Sequence, residues 1–329
     1  MGWSGRGVLV TGATGFIGGH LVERLVREGA RVRAFVRYNS QRTADGLDPL
    51  APDVRGDVEV VRGTILEPEA VAAACRGAEC VFHLAAVVPI PYSYHRPREV
   101  LETNAVGTLN VLNAARQHGV ARVVVTSTSE VYGTARYVPI DEQHPLQAQS
   151  PYAASKIASD KLAESYHLSY DLPVAIIRPF NTYGPRQSLR AVIPTIIAQA
   201  LFREVVALGD LTPTRDFLFV EDTVSGFLCV GESAEAVGRV VNVGSGQEIA
   251  IGDVAQTVLA LTGSRARVVR EDVRVRPGAS EVRRLCADTR LARERLGWAP
   301  RIALQEGLRR TIDWVAASVD PRKAVLYHY

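Results

Sequence analysis

A tyrosine and a lysine lie four residues apart, as Tyr152 and Lys156, in the stretch SPYAASK at the start of a predicted helix. Side chains at this spacing project from one helix face, so the ammonium group can lower the pKa of the phenol. Such a phenol can exchange a proton with a substrate hydroxyl, and Thr128, at the end of the preceding strand, can hydrogen-bond the same hydroxyl. A lone YxxxK pair is common by chance on helix surfaces. It therefore predicts proton transfer only together with the features that follow.

The segment VTGATGFIGGH places Gly12, Gly15 and Gly18 in G-x-x-G-x-x-G spacing between a predicted strand and a predicted helix. Glycine permits a tight turn and close approach of a pyrophosphate, and the helix N-terminus supplies N–H donors and a favourable dipole. Alone this spacing is a weak signal, but it falls in the first βα unit, directly after Thr11. It predicts a dinucleotide site rather than a merely structural turn. In the YxxxK pair, Lys156 would hold the nicotinamide ribose of that dinucleotide.

The end of the second predicted strand, FVRYNSQR, carries Arg37, Asn39 and Ser40 and no acidic residue. A carboxylate here would bind the adenosine ribose hydroxyls and indicate NAD. An arginine with small polar neighbours suits a ribose 2′-phosphate, which favours NADP over NAD. The alternative is that Arg37 is a solvated loop residue and that NAD binds through backbone contacts.

Short β-branched runs alternate with helical patterns through the first half of the chain, and the strands are almost continuously apolar. This alternation is typical of a parallel sheet covered by helices on both faces, so we expect a Rossmann-type, doubly wound α/β fold. The predicted strands are residues 7–12, 30–36, 58–63, 78–85, 121–128 and 172–179; the predicted helices are 16–28, 67–75, 100–118, one from SPYAASK to about 170, 191–202, 251–262 and 304–318.

From residue 180 onward the regularity loosens, and loops rich in Pro, Arg and Thr interleave with helices. We expect a dinucleotide-binding domain over 1–179, with about 217–245 added, and a smaller interleaved domain over 180–216 and 246–329. The smaller domain would pack against the carboxyl edge of the sheet and bind the substrate.

Bulk composition argues against several functional classes. The 329 residues carry a formal net charge of +3, which is too small to indicate nucleic-acid or membrane binding. No apolar run is long enough to cross a bilayer, and the N-terminal residues lack a basic-then-apolar leader. The four cysteines show no metal-like spacing, so we expect no metal site, buried reduced thiols and a cytoplasmic location.

Six further stretches complete a pattern that covers nearly the whole chain: FHLAA, TNAVGTLNVL, RPFNTYGP, RDFLFVEDT, NVGSG and LGWAP. With the glycine turn and the YxxxK pair, the sequence resembles the extended short-chain dehydrogenase/reductase superfamily. The resemblance implies action on nucleotide-diphosphate sugars with a tightly held, recycled nicotinamide cofactor. It also implies a homodimer paired through two helices per subunit, around 99–118 and 152–170.

The resemblance assigns contacts to individual residues. Leu84, Ala85 and Ala86 would line the cofactor. Asn104 would also contact the cofactor, and it would support the active-site helix. The family usually has an aspartate where Thr64 stands, so its contact to the adenine is lost here or replaced by the threonine hydroxyl. Further cofactor contacts are expected from Thr14, Phe16, Ile17, Ile65, Thr126 and Pro179.

On the substrate side, the resemblance implies that Asn181 and Arg215 contact the diphosphate or the base and that Arg276 contacts phosphate. Val88 is also expected to contact the substrate. Arg190 would recognise the nucleotide or cap the helix that follows it. For Arg215 and Arg276 the alternative is a surface salt bridge.

The presence of Glu130 helps to distinguish which reaction of this superfamily the protein catalyses. A 4-epimerase only removes and returns a hydride, whereas a 4,6-dehydratase must also remove the C5 proton while the C6 hydroxyl leaves. Many hexose dehydratases carry Thr-Asp-Glu; here Ser129 replaces the aspartate, so Glu130 would act as base and acid or recruit a water. The triplet Thr128–Glu130 also resembles that of GDP-mannose 4,6-dehydratases, which work without the aspartate, and it equally resembles that of UDP-glucuronate decarboxylases. The alternative for Glu130 is a carboxylate that caps Tyr132 and Gly133.

The stretches VVPIPYSYHRP and QSLRAVIPTII resemble N-acetylhexosamine 4,6-dehydratases of the legionaminic-acid pathway. That resemblance implies conversion of UDP- or GDP-N-acetylglucosamine to its 4-keto-6-deoxy product. The alternatives are a UDP-glucuronate decarboxylase, a nucleotide-sugar 4-epimerase, a hexosamine 5,6-dehydratase and, outside enzymes, a cofactor-sensing scaffold. The intact set of Thr128, Glu130, Tyr152 and Lys156 argues against the scaffold.

Overall fold

A parallel sheet of seven strands forms the centre of the computed structural model, which describes residues 2–38 and 50–322. All strands of the described residues are β1 Gly7–Thr11, β2 Arg31–Val36, β3 Val58–Arg62, β4 Cys80–His83, β5 Arg122–Thr126, β6 Val174–Pro179, β7 Asn181–Tyr183, β8 Val205–Leu208, β9 Thr214–Arg215, β10 Phe217–Phe219, β11 Val240–Val243, β12 Ile249–Ala250 and β13 Arg267–Arg270. The central sheet has the order β11-β6-β5-β4-β1-β2-β3. This doubly wound order confirms the predicted fold class.

Helices cover both faces of this sheet. The α-helices are α1 Phe16–Arg27, α2 Pro52–Arg55, α3 Pro68–Cys75, α4 Ile90–His95, α5 Pro97–Leu101, α6 Gly107–Gln117, α7 Pro151–Tyr170, α8 Val192–Phe202, α9 Val220–Glu232, α10 Ile251–Thr262, α11 Arg290–Leu296 and α12 Leu304–Ser318. On one face, Leu21 of α1 and Phe227 of α9 belong to one buried apolar cluster. On the other face, Val111 of α6 and Ala163 of α7 belong to a second cluster. Burial of these two apolar layers holds the sheet between its helices.

The sheet order reverses between β1 and β4, which lie side by side although two strands and their helices separate them in sequence. In open α/β sheets, ligands bind in the crevice outside the carboxyl ends of the strands at this reversal. β1 ends at Thr11 and β4 ends at His83. The glycine turn and the FHLAA segment therefore open into the same crevice.

The helix predicted over 100–118 is interrupted. α5 ends at Leu101, Glu102–Val106 form one π-helical turn, and α6 continues from Gly107. Apolar periodicity did not reveal this turn, because one extra residue per turn hardly changes the pattern over so short a stretch. π turns are frequent at functional sites, and this one contains Asn104.

Within the described residues, three two-stranded pairs lie outside the central sheet. β7 pairs with β10 and β8 with β13 in parallel, whereas β9 pairs with β12 antiparallel. Sequence analysis missed them because strands of two to four residues are too short for a periodic signal. α8, α10 and α12 pack against one another in this part of the chain. The predicted division into two interleaved domains stays a prediction.

No helix in residues 2–38 and 50–322 is long and apolar enough to cross a membrane. In the same ranges, no group of three or more His, Cys, Asp or Glu side chains is placed to hold a metal ion. The cysteines are free thiols, with Cys75, Cys80 and Cys286 buried and Cys229 half-buried.

Candidate active site

The glycine turn between β1 and α1 leaves no room for a side chain at Gly12 or Gly18. Gly12 has a φ of +69°, and a Cβ there would lie 2.8 Å from the backbone nitrogen of Ala85. A Cβ on Gly18 would lie 2.1 Å from the carbonyl oxygen of Gly12, so both positions require glycine. Gly15 is the N-cap of α1, which has no side-chain cap and no acidic residue in its first turn. The N–H groups at this helix start are available to an anion, so the turn fits the pyrophosphate of a dinucleotide.

Thr11 and His83 join the two strands at which the sheet order reverses. The Thr11 hydroxyl lies 2.8 Å from His83 Nδ1 and accepts hydrogen bonds from the N–H groups of Leu84 and Ala85 at 3.2 and 3.1 Å. On the other side of the ring, Nε2 lies 3.0 Å from the Thr108 hydroxyl. Burial is the main reason that the pKa of His83 is lowered to about 3, so the ring is neutral at neutral pH. This network holds the segment that begins at Leu84 beside the glycine turn.

Tyr152 and Lys156 lie in the first two turns of α7, as the sequence predicted. Ser150 caps this helix, since its hydroxyl accepts a hydrogen bond from the Ala153 N–H at 3.1 Å. Tyr152 is 6% exposed and Lys156 is 4% exposed. Thr128 hydrogen-bonds the Tyr152 side chain. The structure therefore brings the three predicted proton-transfer residues together.

Burial controls the protonation of this pair. It raises the pKa of Tyr152, an effect that the hydrogen bond with Thr128 opposes and that the charges of Glu130 and Asp160 increase. It lowers the pKa of Lys156 to about 8, against the opposing effect of Asp160. The pKa of Tyr152 is thus raised in the protein itself, not lowered by Lys156 as expected, because desolvation disfavours the charged forms of both groups.

Glu130 stands in a short 3₁₀ helix, Ser129–Tyr132, directly after Thr128. The Thr128 hydroxyl accepts a hydrogen bond from the Glu130 N–H at 3.2 Å. Glu130 is 9% exposed, and its carboxylate has no hydrogen-bond or ion-pair partner among the residues that the structure describes. The Gly133 N–H donates to the Glu130 carbonyl oxygen, so the carboxylate is not the cap considered as an alternative. An uncommitted, nearly buried carboxylate whose charge acts on Tyr152 can take a proton from a substrate.

Asn104, in the π turn, connects two neighbouring segments. Its Oδ1 accepts a hydrogen bond from the Val87 N–H at 2.8 Å. Its Nδ2 donates to the Val87 carbonyl at 3.1 Å and to Ser155 Oγ, on α7, at 2.9 Å. Both donor hydrogens of the amide are therefore used inside the protein. This contact to α7 favours support of the active-site helix over direct contact with a cofactor.

The other residues predicted at the cofactor lie near the carboxyl ends of the strands. Thr126 ends β5, and its buried hydroxyl has no hydrogen-bond partner among the described residues, which fits a bound ligand. Pro179 ends β6 and is buried. The Thr64 hydroxyl accepts a hydrogen bond from the Leu66 N–H at 3.3 Å. Thr14, Phe16, Ile17, Leu84 and Ala86 are half-buried, and Ile65 is buried.

Arg37, the arginine predicted at the adenosine ribose, directly follows β2 and is exposed. Its predicted partners Asn39 and Ser40 lie outside the described residues. Of this predicted group, the structure thus describes only the arginine.

Two of the predicted substrate arginines converge on one carboxylate. Arg215 Nη2 donates to Glu281 Oε1 at 2.9 Å, and Arg276 Nη1 lies 3.7 Å from the same oxygen. The side chains of Arg215 and Glu281 are 7% and 12% exposed, so their contact is a nearly buried ion pair and not the surface salt bridge considered as an alternative for Arg215. The Arg276 side chain is 29% exposed. Two guanidinium groups that approach one carboxylate could also bind a diphosphate.

The remaining predicted substrate residues, Asn181, Val88 and Arg190, are not part of this arginine cluster. Asn181 begins β7, and its buried Oδ1 has no hydrogen-bond partner in the described part of the chain. Val88 is 55% exposed. Arg190 is exposed, and its charge acts on Tyr92 of α4. The following helix, α8, has Ala191 as its N-cap and no side-chain cap, so the capping alternative for Arg190 is not observed.

Sequence analysis missed two carboxylates that organise the site. Asp160 lies four residues after Lys156, and this helical spacing could have placed it on the same face. Glu281 lies one residue beyond the stretch RVRPGAS that drew attention to Arg276. No local pattern marks Glu281, because its partner Arg215 belongs to a distant segment.

The chain is similar to nucleotide-sugar enzymes along almost its whole length. A family model described as GDP-mannose 4,6 dehydratase matches residues 9–311. A UDP-glucose 4-epimerase of Mycolicibacterium smegmatis is 35% identical over 312 residues, which cover 93% of this chain and 97% of that relative. A dTDP-glucose 4,6-dehydratase of Streptomyces antibioticus is 36% identical over 311 residues, which cover 93% of this chain and 91% of that relative.

A solved structure supports the same similarity. The dTDP-glucose 4,6-dehydratase of Streptomyces venezuelae, solved with NAD bound, superposes with a TM-score of 0.85 at 30% identity. The match covers 94% of this chain and 97% of that structure.

Proposed function

Since the chain belongs to the family described as GDP-mannose 4,6 dehydratase, within the extended short-chain dehydrogenase/reductases, we propose that it is a nucleotide-sugar 4,6-dehydratase. The proposed substrate is an N-acetylhexosamine, with UDP- or GDP-N-acetylglucosamine as the first candidates. The product is the 4-keto-6-deoxy sugar, formed with loss of one water. The observation that carries this proposal is the nearly buried, uncommitted carboxylate of Glu130 beside the proton-transfer pair.

In the first step, the C4 hydroxyl gives up its proton and C4 gives up a hydride. Tyr152 takes the proton, and its hydrogen bond with Thr128 orients the phenol toward that hydroxyl. A nicotinamide held beside Lys156 would supply the hydride acceptor for C4 and the hydride donor for C6. Lys156 would hold the nicotinamide ribose.

In the second step, the C5–H and C6–O bonds break. The ketone at C4 makes the C5 proton acidic, and Glu130 takes it. The C6 hydroxyl leaves as water after it receives a proton from Glu130, since Ser129 has no carboxylate with which to serve as the acid. After reduction at C6, C5 takes up one proton, which balances the proton that Tyr152 removed from the C4 hydroxyl. The sugar therefore loses one water, and there is no net consumption of an oxidant.

We propose NAD as the cofactor. The similar dehydratase of Streptomyces venezuelae holds NAD, and the preference for NADP expected from Arg37 finds no support there. The helix start after the glycine turn and the unpartnered hydroxyl of Thr126 suit either dinucleotide. Mass spectrometry of the nucleotide released on denaturation of the purified protein distinguishes NAD from NADP by one phosphate.

A 4-epimerase is the second candidate, favoured by the similarity to the UDP-glucose 4-epimerase of Mycolicibacterium smegmatis. Epimerisation requires the proton-transfer pair but leaves no task for Glu130. A decarboxylase of UDP-glucuronate would need, in addition, a cationic contact for the C6 carboxylate. The reactions differ in product mass, which makes them separable in one experiment.

The test is mass spectrometry of products after separate incubation with UDP- and GDP-N-acetylglucosamine, UDP-glucose and UDP-glucuronate. Loss of one water from a hexosamine, without consumption of added cofactor, is the expected result. Loss of carbon dioxide from UDP-glucuronate would replace the proposal with a decarboxylase. Unchanged mass with altered chromatographic retention would replace it with an epimerase.

We also propose that the protein is a homodimer paired through the helices at 97–117 and 151–170. The exposed apolar side chains of Leu101, Val106 and Leu168 on these segments support this, with Leu168 73% exposed. Sedimentation equilibrium should give twice the chain mass. Leu168→Glu should reduce it to the monomer mass if this surface pairs the subunits.

A further inference from the structure

Asp160 lies on α7 one turn beyond Lys156 and is 2% exposed. Its Oδ2 accepts hydrogen bonds from Ser127 Oγ and from Arg178 Nη2, both at 2.8 Å. Ser127 directly precedes Thr128 at the end of β5, and Arg178 belongs to β6. One carboxylate thus joins the helix of the proton-transfer pair to two neighbouring strands.

The same ion pair reaches the far end of the segment that carries the predicted acid and base. Arg178 Nη1 donates to the Tyr132 hydroxyl at 2.9 Å, and that hydroxyl donates to Asn242 Oδ1 at 2.8 Å. Tyr132 ends the 3₁₀ helix that contains Glu130, and both Tyr132 and Asn242 are fully buried. The segment of residues 128–131 is therefore held at its start and at its end by one buried ion pair.

The Asp160 carboxylate also acts electrostatically on its own helix face. Its Oδ1 is buried and has no hydrogen-bond partner among the described residues. Its charge raises the pKa of Lys156, against burial, which lowers that pKa to about 8. Three other titratable groups belong to this site. His83 on β4 is neutral, and Tyr152 on the same helix is not a carboxylate. Glu130 is a carboxylate, but its charge acts on Tyr152. Asp160 is therefore the carboxylate that opposes the desolvation of Lys156.

We propose that Asp160 is the positioning residue of this site. It fixes the segment of Thr128, Ser129 and Glu130 against α7, and it keeps Lys156 in the charged form. The inference rests on the proposed function, because it assigns the partner that holds the acid/base segment against the proton-transfer pair.

The charge on Lys156 can be measured without substrate. The chain has three lysines, Lys156, Lys161 and Lys323, so a protein labelled with ¹³C at lysine Cε gives three signals. Lys161→Arg and Lys323→Arg assign them. We expect the Lys156 signal to titrate with a midpoint near 8, and Asp160→Asn to lower this midpoint by about one pH unit or more. Asp160→Glu keeps the charge and should restore the midpoint.

Asp222→Asn is the matched control. Asp222 is 3% exposed, and its Oδ2 accepts hydrogen bonds from the N–H groups of Arg301 and Ile302. Its replacement should lower stability and leave the Lys156 midpoint unchanged. A midpoint that also stays unchanged in Asp160→Asn would overturn the proposal.

Asp160→Asn leaves Arg178 buried without its partner, and a protein with such a group can fail to fold. The double variant Asp160→Asn/Arg178→Gln removes both charges. Since Arg178 is not among the groups that shift the pKa of Lys156, the same lowered midpoint is expected. An unchanged midpoint in the folded double variant would equally overturn the proposal.

The pH dependence of C4 oxidation gives a second readout, followed as reduced nicotinamide after mixing with nucleotide sugar. Oxidation requires deprotonated Tyr152 and charged Lys156, and Asp160 raises the pKa of both. Its neutralisation should therefore move both limbs of the profile to lower pH. If Asp160→Asn lowers the rate equally at every pH and leaves both limbs of the pH profile in place, Asp160 contributes to stability alone. If no sugar is oxidised by the wild type, the proposed function fails, and the Lys156 titration still decides the inference.

Discussion

Arg215 and Glu281, 66 residues apart in the chain, form a nearly buried ion pair with 2.9 Å between Nη2 and Oε1. Arg276 approaches the same oxygen at 3.7 Å. The protein's own carboxylate thus holds side by side the two arginines that the sequence predicted for a phosphate ligand. Side chains that are already ordered lose less conformational entropy when a ligand binds. We therefore expect a large share of the affinity for the nucleotide diphosphate to come from this cluster.

Arg215→Ala removes one guanidinium group and leaves Glu281, whose side chain is 12% exposed, without its nearest partner. We expect the KM for the nucleotide sugar to rise about tenfold or more. The free energy of unfolding should fall by about 3 kcal/mol. Steady-state kinetics and urea unfolding measure the two effects. Arg283→Ala is the control, because the Arg283 side chain is 55% exposed and pairs with Asp210; its unfolding free energy should change by less than about 1 kcal/mol. An equal rise in KM in this control would contradict the prediction.

Glu130→Gln removes the proposed base and nearly preserves the shape of the side chain. We expect the dehydration rate to fall by a factor of about 10² to 10⁴, while C4 oxidation continues and reduced nicotinamide accumulates. In D₂O, the wild type should incorporate deuterium at C5 of the product, and Glu130→Gln should not, as proton NMR can detect. Tyr152→Phe is the contrast, since it should abolish C4 oxidation itself. Normal water loss by Glu130→Gln would remove Glu130 from the mechanism.

Gly18→Ala tests the glycine turn, because the new Cβ would lie 2.1 Å from the Gly12 carbonyl oxygen. Since the backbone carbonyl cannot move aside without a large cost in free energy, we expect α1 to shift. The dinucleotide that copurifies with the protein should then be lost. Absorbance and mass spectrometry of the released nucleotide measure this. Gly56→Ala is the control, with nothing within 4 Å of its Cβ and αR backbone angles; it should retain the nucleotide and be up to about 1 kcal/mol more stable. Full retention of nucleotide by Gly18→Ala would show that the turn does not bind it.

His83 should make stability depend on pH. Its pKa is about 3 in the folded protein against 6.5 ordinarily, so below 6.5 the unfolded chain binds a proton that the folded protein does not. The His83 contribution is thus fully present above pH 6.5 and is lost at about 1.4 kcal/mol per pH unit as the pH falls toward 3. In His83→Gln, the free energy of unfolding in urea should depend less steeply on pH between pH 3 and 6.5, by about 1.4 kcal/mol per pH unit. His95 is exposed, so His95→Gln should leave the pH dependence of the unfolding free energy unchanged. An equal reduction in His95→Gln would show that this pH dependence does not come from His83.

Local patterns were sufficient for the fold class and for part of the site. The glycine turn, the strand periodicity and the spacing of Tyr152 and Lys156 each depend on residues within one βα unit or one helix turn. Backbone sterics and side-chain direction act over this range, so the residue types alone determine the outcome. The family resemblance, rather than local spacing, pointed to Arg215 and Arg276, and it did so as separate motifs.

What holds these motifs together was decided by the tertiary structure. Asp160 meets Ser127 and Arg178 only because three elements of the doubly wound sheet converge there, and Glu281 meets Arg215 only because a distant loop folds back. The direction of the Tyr152 pKa likewise depends on burial, which no single segment determines. Desolvation and ion pairing act through space, whereas sequence patterns report neighbours along the chain. The sequence by itself therefore determined which groups can do the chemistry, and the fold decided which of them are charged, paired and within reach of one another.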